Sequence, residues 1–224
     1  MTRSRSAFLS PRLILTDIEG TTTPLAFVHN TLFPYARTRL PALITRPGPA
    51  VQAVLANVPG PDQLATLLAW MDRDVKAGPL KTLQGIAWAD GYLDGSIIGA
   101  LYPDVAPALV RWHAAGIGLA VYSSGSVAAQ RLLFRHSVAG NLEGLFAAFF
   151  DTATGNKRDP PSYSAIATSC GTAPTDILFL SDVAEELDAA DQAGLSTCQL
   201  IRPEDRTVAS GRHRTATTFD AALR

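Results

Sequence analysis

The apolar positions of this chain fall into short runs separated by longer patterned stretches. Leu13 to Ile18, Gly118 to Ser123, Ala147 to Asp151, Ile177 to Ser181 and Thr197 to Ile201 are apolar runs of strand length, which predicts buried strands. Helical periodicity separates the last four. Asp104 to Ala115 sets Val105, Leu109 and Trp112 on one stripe and stops at Gly116. Val127 to His136 follows the capping residue type Ser126. Ser162 to Ser169 precedes Gly171, and Val183 to Ala193 precedes Gly194. Strands alternating with helices require right-handed crossovers, so the pattern predicts an α/β fold on a mostly parallel sheet.

The stretch from Thr23 to Asp104 breaks this rhythm and is too long for one crossover. It holds a Pro/Gly-rich break at Asn57-Val58-Pro59-Gly60-Pro61 and an amphipathic run from Gln63 to Val75, which reads as a largely helical insertion. An insertion there is expected above the carboxyl end of the first strand, where a cap excludes water and selects substrate. The expected division is a core of residues 1–24 and 105–224 and a cap of residues 25–104.

Composition removes several classes. At 224 residues and 47% hydrophobic, the chain can bury a sizeable core and is no disordered segment. Nineteen basic against twenty acidic residues leave a net charge of -1, which is no footprint for nucleic acid. Arg3, Arg5 and Arg12 cluster near the start without a long apolar segment behind them, so a signal peptide is not expected. No apolar stretch reaches membrane-spanning length. Cys170 and Cys198 fit neither a zinc motif nor a disulfide framework and read as buried thiols. A cytoplasmic protein is expected. The tail after Pro203, with Arg206, Arg212, His213 and Arg214, reads as solvated surface.

Four segments carry candidate chemistry. Leu13-Ile14-Leu15-Thr16-Asp17-Ile18-Glu19-Gly20 ends a strand in two carboxylates one residue apart, with a glycine to turn the chain. At the carboxyl end of a central strand such a pair suits phosphoryl transfer through an aspartyl-phosphate; in isolation it is equally a turn with solvated acids. Val121-Tyr122-Ser123-Ser124-Gly125-Ser126 joins a strand to a helix, where hydroxyls and helix-start N–H groups cradle phosphate or cap the helix. Lys157, in Gly155-Asn156-Lys157-Arg158-Asp159, is a loop cation able to hold phosphate. Ile177-Leu178-Phe179-Leu180-Ser181-Asp182 ends in a further acid. Asp182 near Asp17 would create strong repulsion unless a cation lay between them, and oxygen ligands with phosphate suggest Mg²⁺. Glu186 and Asp188 read as a solvated helix start, and Glu185 is left open.

The order strand-Asp-x-acid, strand-Ser, loop-Lys, strand-Asp resembles the haloacid dehalogenase-like superfamily of aspartyl-phosphate phosphatases over essentially the whole chain. That implies a Rossmann-like parallel sheet with a C1-type helical cap. Superfamily members typically carry Asp-x-Asp after the first strand, whereas the second acid here is Glu19. The strings Asp17-Ile18-Glu19-Gly20-Thr21-Thr22-Thr23-Pro24, Leu32-Phe33-Pro34-Tyr35, Leu83-Gln84-Gly85-Ile86 and Tyr122-Ser123-Ser124-Gly125-Ser126-Val127 are similar to the acireductone synthases, the bifunctional enolase-phosphatases of methionine salvage. Asp159-Pro160-Pro161 is a proline-rich departure just after the lysine.

The resemblance implies conversion of 2,3-diketo-5-methylthiopentyl-1-phosphate to its enol phosphate and then to the acireductone and phosphate. It implies Asp17 as nucleophile and metal ligand, and Glu19 as general acid and ligand, the latter through its backbone carbonyl. Asp182 would complete the protein ligands of one Mg²⁺, and Ser123, Ser124 and Lys157 would bind substrate. A monomer is expected, with no nucleic-acid or membrane partner. His29 is a candidate for the enolisation base, or a surface residue; Trp88 and Tyr92 are candidates for the methylthio pocket, or plain core. The competing reading is a phosphatase of the same superfamily for another small phosphate ester.

Overall fold

The computed structural model describes residues 11–223. Arg3 and Arg5 lie outside the described residues. The chain divides into two compact units, one of residues 1–25 with 100–224 and one of residues 26–99.

The first unit is built on a sheet of six strands in the order β3-β2-β1-β4-β5-β6, with every pairing parallel. The strands are β1 (Leu13–Thr16), β2 (Gly118–Tyr122), β3 (Ala148–Phe150), β4 (Ile177–Ser181), β5 (Ser196–Leu200) and β6 (Thr215–Ala216). β1 lies between β2 and β4, with Leu15 opposite both Ala120 and Phe179. Its four residues are all buried, as are all five of β4, which is why these runs show no polar alternation: helices cover both faces of a parallel sheet. Leu15, Tyr122, Tyr163, Ile166, Phe179 and Leu187 are fully buried in one shared core.

The helices of this unit are Val105–Ala114, Val127–Arg135, Pro160–Ser169 and Ala184–Gln192. Ser126 accepts the N–H of Ala129 and caps the second. The prolines at 160 and 161 open the third, where a missing N–H costs nothing.

Two expectations are corrected here. β1 ends at Thr16 rather than Ile18, because the Ile18 carbonyl turns back to accept the N–H groups of Thr21, Thr22 and Thr23. The tail after Pro203 is not simply solvated surface. Gln199 donates to the Arg214 carbonyl at 2.7 Å and Ile201 to that of Ala216 at 2.8 Å, which makes β6. The His213 ring is buried between Thr197 and Asp188, at 3.0 and 2.9 Å. A two-residue strand held by main-chain bonds has no side-chain period to read.

The second unit is helical: Phe33–Ile44, Pro49–Leu55, Gln63–Asp72 and Gly78–Leu93 follow a single wide turn at Val28–Leu32. Leu40, Leu43, Leu67, Leu83 and Ala87 form its core. Asp62 caps the third helix by accepting from Ala65 at 2.9 Å. Tyr92 is buried; Trp88 is half-buried and donates its indole N–H to the Leu32 carbonyl at 2.8 Å. His29 is exposed and meets the Phe33 ring edge-on.

Among the described residues, no helix is long and apolar enough to cross a membrane. Cys198 is buried and Cys170 half-buried, both as free thiols with pKa values raised by burial.

Candidate active site

Parallel strands deliver their following loops to one edge of the sheet. Asp17 follows β1, Ser123 follows β2, Lys157 sits in the loop after β3 and Asp182 follows β4. The main chain locks these ends together. Asp17 donates its N–H to the Leu180 carbonyl at 2.9 Å, and Ser123 to that of Phe150 at 3.1 Å.

Lys157 is the centre of the charge arrangement. Its ammonium lies 2.6 Å from Asp17 Oδ1 and 2.6 Å from Glu186 Oε2, and all three side chains are largely buried. Its loop is held through main-chain oxygens. The Tyr122 hydroxyl donates to the Gly155 carbonyl at 3.0 Å, Ser162 Oγ to Asn156 at 2.8 Å, and the Tyr163 hydroxyl to Lys157 itself at 2.6 Å. Gly155, at φ +147°, lies so close to Ser162 that a Cβ would collide with the hydroxyl. Three strand- and helix-borne hydroxyls thus aim a long, flexible side chain.

Asp182 is fixed from two sides. Its backbone N–H donates to Thr21 Oγ1 at 3.0 Å, and the same hydroxyl donates back to Asp182 Oδ1 at 3.2 Å. The Gln199 amide holds its carbonyl at 2.9 Å. Gly20, at φ +70°, lets the first loop pass against the Asp182 carboxylate where a Cβ would not fit.

Burial, and next the charge of Asp17, push the Asp182 carboxyl up to about 7. The same two causes raise Glu186, against the opposing pull of Lys157. Burial alone would lower Lys157, but Asp17 and Glu186 outweigh it and hold the ammonium above its ordinary value. Three carboxylates thus face one cation, an excess of negative charge that a second, diffusible cation would relieve.

Ser123 is buried and accepts the Gly125 N–H at 3.3 Å; Ser124 is exposed on the same turn, while Ser126 and the Asp151 carboxylate accept the first N–H groups of the helix. Gln130 closes this loop by donating to the carbonyls of Gly125 and Phe150. Glu19 is half-buried. Among the described residues, no three His, Cys, Asp or Glu side chains converge on one metal position.

The solvated reading of Glu186 is overturned. A helical Cα–Cβ bond tilts toward the helix N-terminus, so an acid in the first turn after a strand end reaches back to that end. Glu186 does so, and accepts from Ser181 Oγ at 3.0 Å as well. The four-residue step from Asp182 was the available signal. Asp188 is not simply solvated either, since it pairs with Arg212 and His213. Glu185 is the exposed member of the group.

Residues 11–194 match the family model described as haloacid dehalogenase-like hydrolase. The chain is 55% identical to Enolase-phosphatase E1 of Gluconacetobacter diazotrophicus, over 100% of this chain and 97% of the relative. It is 54% identical to the protein of that name from Acidiphilium cryptum, over 92% and 91%. Among solved structures, the Unknown transcript 4 protein of Saccharomyces cerevisiae shares 34% identity at a TM-score of 0.82, covering 94% of this chain and 99% of that one.

Proposed function

The chain belongs to the haloacid dehalogenase-like hydrolases and, among them, to the enolase-phosphatases, and on that premise we propose that it converts 2,3-diketo-5-methylthiopentyl-1-phosphate to the enol phosphate and then to acireductone and phosphate. The observation that carries the reading is the Asp17–Lys157 contact at 2.6 Å at the end of the central strand, with Asp182 beside it.

In this reading Asp17 attacks the phosphorus, forming an aspartyl-phosphate, an acyl phosphate on Asp17, as the bond to the substrate oxygen breaks. Glu19 gives a proton to that leaving oxygen and takes one from the water that then hydrolyses the aspartyl-phosphate. Lys157 binds the equatorial oxygens of the transferring group, where transition-state charge accumulates. Ser123, Ser124 and the N–H groups of their turn hold the phosphate.

The excess of buried carboxylate over cation is the donor chemistry that a divalent ion fits. Asp17, Asp182 and the Glu19 main-chain carbonyl would hold Mg²⁺. When bound, it supplies charge neutralisation at the phosphate and polarisation of the diketone. Glu19, longer by one methylene than the usual aspartate, moves the enolisation proton as well. Glu186 keeps Lys157 charged and in place.

The helical unit is assigned the role of substrate-selecting cap, and the protein is taken as a cytoplasmic monomer. Incubation with the diketone phosphate and Mg²⁺, following enol absorbance and phosphate release, tests the whole reading. A transient enol preceding phosphate is expected. Phosphate release with no enol would leave only a phosphatase for other small esters.

A further inference from the structure

Arg202 is a buried cation that the chemistry above does not use. It lies just after β5, is 3% exposed, and has one carboxylate partner, Asp104, at 2.8 Å. A buried guanidinium is costly unless nearly all of its donors are satisfied. Here most of them go to main-chain oxygens. Nε and Nη2 both donate to the Thr21 carbonyl, at 3.1 and 2.8 Å, and Nη1 donates to that of Thr217 at 3.2 Å. The Tyr102 ring lies against the guanidinium with its centroid 4.0 Å away, so its plane is fixed as well.

Thr21 is the residue whose hydroxyl both receives the Asp182 N–H and donates to the Asp182 carboxylate. A bidentate clamp on one side of Thr21 and the reciprocal pair on the other make a continuous chain from Asp104 through Arg202 and Thr21 to Asp182. We propose that Arg202 is a positioning residue for the metal-binding carboxylate, setting the orientation of Asp182 through Thr21. Arg suits this role where Lys would not, because two donors in a rigid fork fix the carbonyl's direction as well as its distance. Partners that orient a ligating carboxylate typically govern metal affinity by about 10- to 100-fold. The inference rests on the reading of Asp182 as a metal ligand.

The test uses the full chain with Mn²⁺ as a paramagnetic probe, its dissociation constant read from the free-ion EPR signal. Arg202→Lys keeps the charge and loses the fork; Thr21→Val removes only the relaying hydroxyl and serves alone if the arginine variant does not fold. Each variant is expected to bind Mn²⁺ about 10- to 100-fold more weakly, with kcat at saturating Mg²⁺ within about threefold of the parent. The double variant is expected to lose no more than the worse single one, because both cut the same chain. Binding within about twofold of the parent in either folded variant, or fully additive losses, would overturn the role of Arg202. A parent chain that binds no Mn²⁺ would overturn the metal site itself, and this inference with it.

Discussion

Glu186 Oε2 stands 2.6 Å from Lys157 Nζ, the same distance that separates the ammonium from Asp17 Oδ1. Glu186 therefore helps to set the charge state of a lysine that must stay protonated to bind phosphate. Glu186→Gln removes one of the two charges that hold the Lys157 pKa up, while burial continues to press it down. The alkaline limb of kcat/KM is expected to move to lower pH, with a fall in kcat of about 10- to 100-fold. A pH–rate profile with its alkaline limb unmoved would remove Glu186 from this role.

Asp182 predicts how metal-free protein responds to pH. Its carboxyl is pushed up to about 7 in the folded chain by burial and by Asp17, against about 4 in an unfolded one. Between those values the folded state holds a proton that the unfolded state has released, so stability falls as pH rises through the window. The Tm of protein freed of metal by chelation is expected to drop by several degrees from about pH 5 to about pH 8. Below about pH 7 a proton also competes with the metal, so Mg²⁺ affinity is expected to rise about tenfold per pH unit there. Thermal scans and metal titrations at several pH values check both slopes.

Glu19→Asp shortens the proposed acid by one methylene without removing it. Phosphate release from a pre-formed enol phosphate is expected to persist within about tenfold, while enol formation from the diketone slows by about 100-fold or more. The two steps have separate readouts, enol absorbance and phosphate, in one stopped-flow experiment. Unchanged enol formation would place Glu19 in the phosphatase step alone.

Gly155→Ala strains the loop that aims Lys157. The new Cβ meets Ser162 Oγ, and φ +147° suits only glycine. Overpacking and backbone strain together are expected to cost about 2–4 kcal/mol. Relief by Gly155→Ala with Ser162→Gly, measured by urea unfolding, would locate the cost in that contact; no relief would assign it to the backbone.

The sequence by itself determined the class of fold, because strands buried on both faces must be apolar throughout and helices covering them must be apolar on one stripe. It also carried the order of the acidic, hydroxyl and basic segments along the chain, and with Glu19 the kinship to the enolase-phosphatases. β6 was not legible, because two residues held by main-chain bonds leave no pattern in side chains. Tertiary structure decided which charges share a site. Asp17, Lys157 and Glu186 are distant in sequence; the β1–β4 pairing brings the loops of Asp17 and Glu186 together, and the loop after β3 reaches the same edge of the parallel sheet with Lys157. Glu186 and Glu185 are adjacent acids in one helical turn. One is buried against a lysine and the other stands in water, because a helix rotates successive side chains by about 100°, and only the fold states which of the two directions is inside.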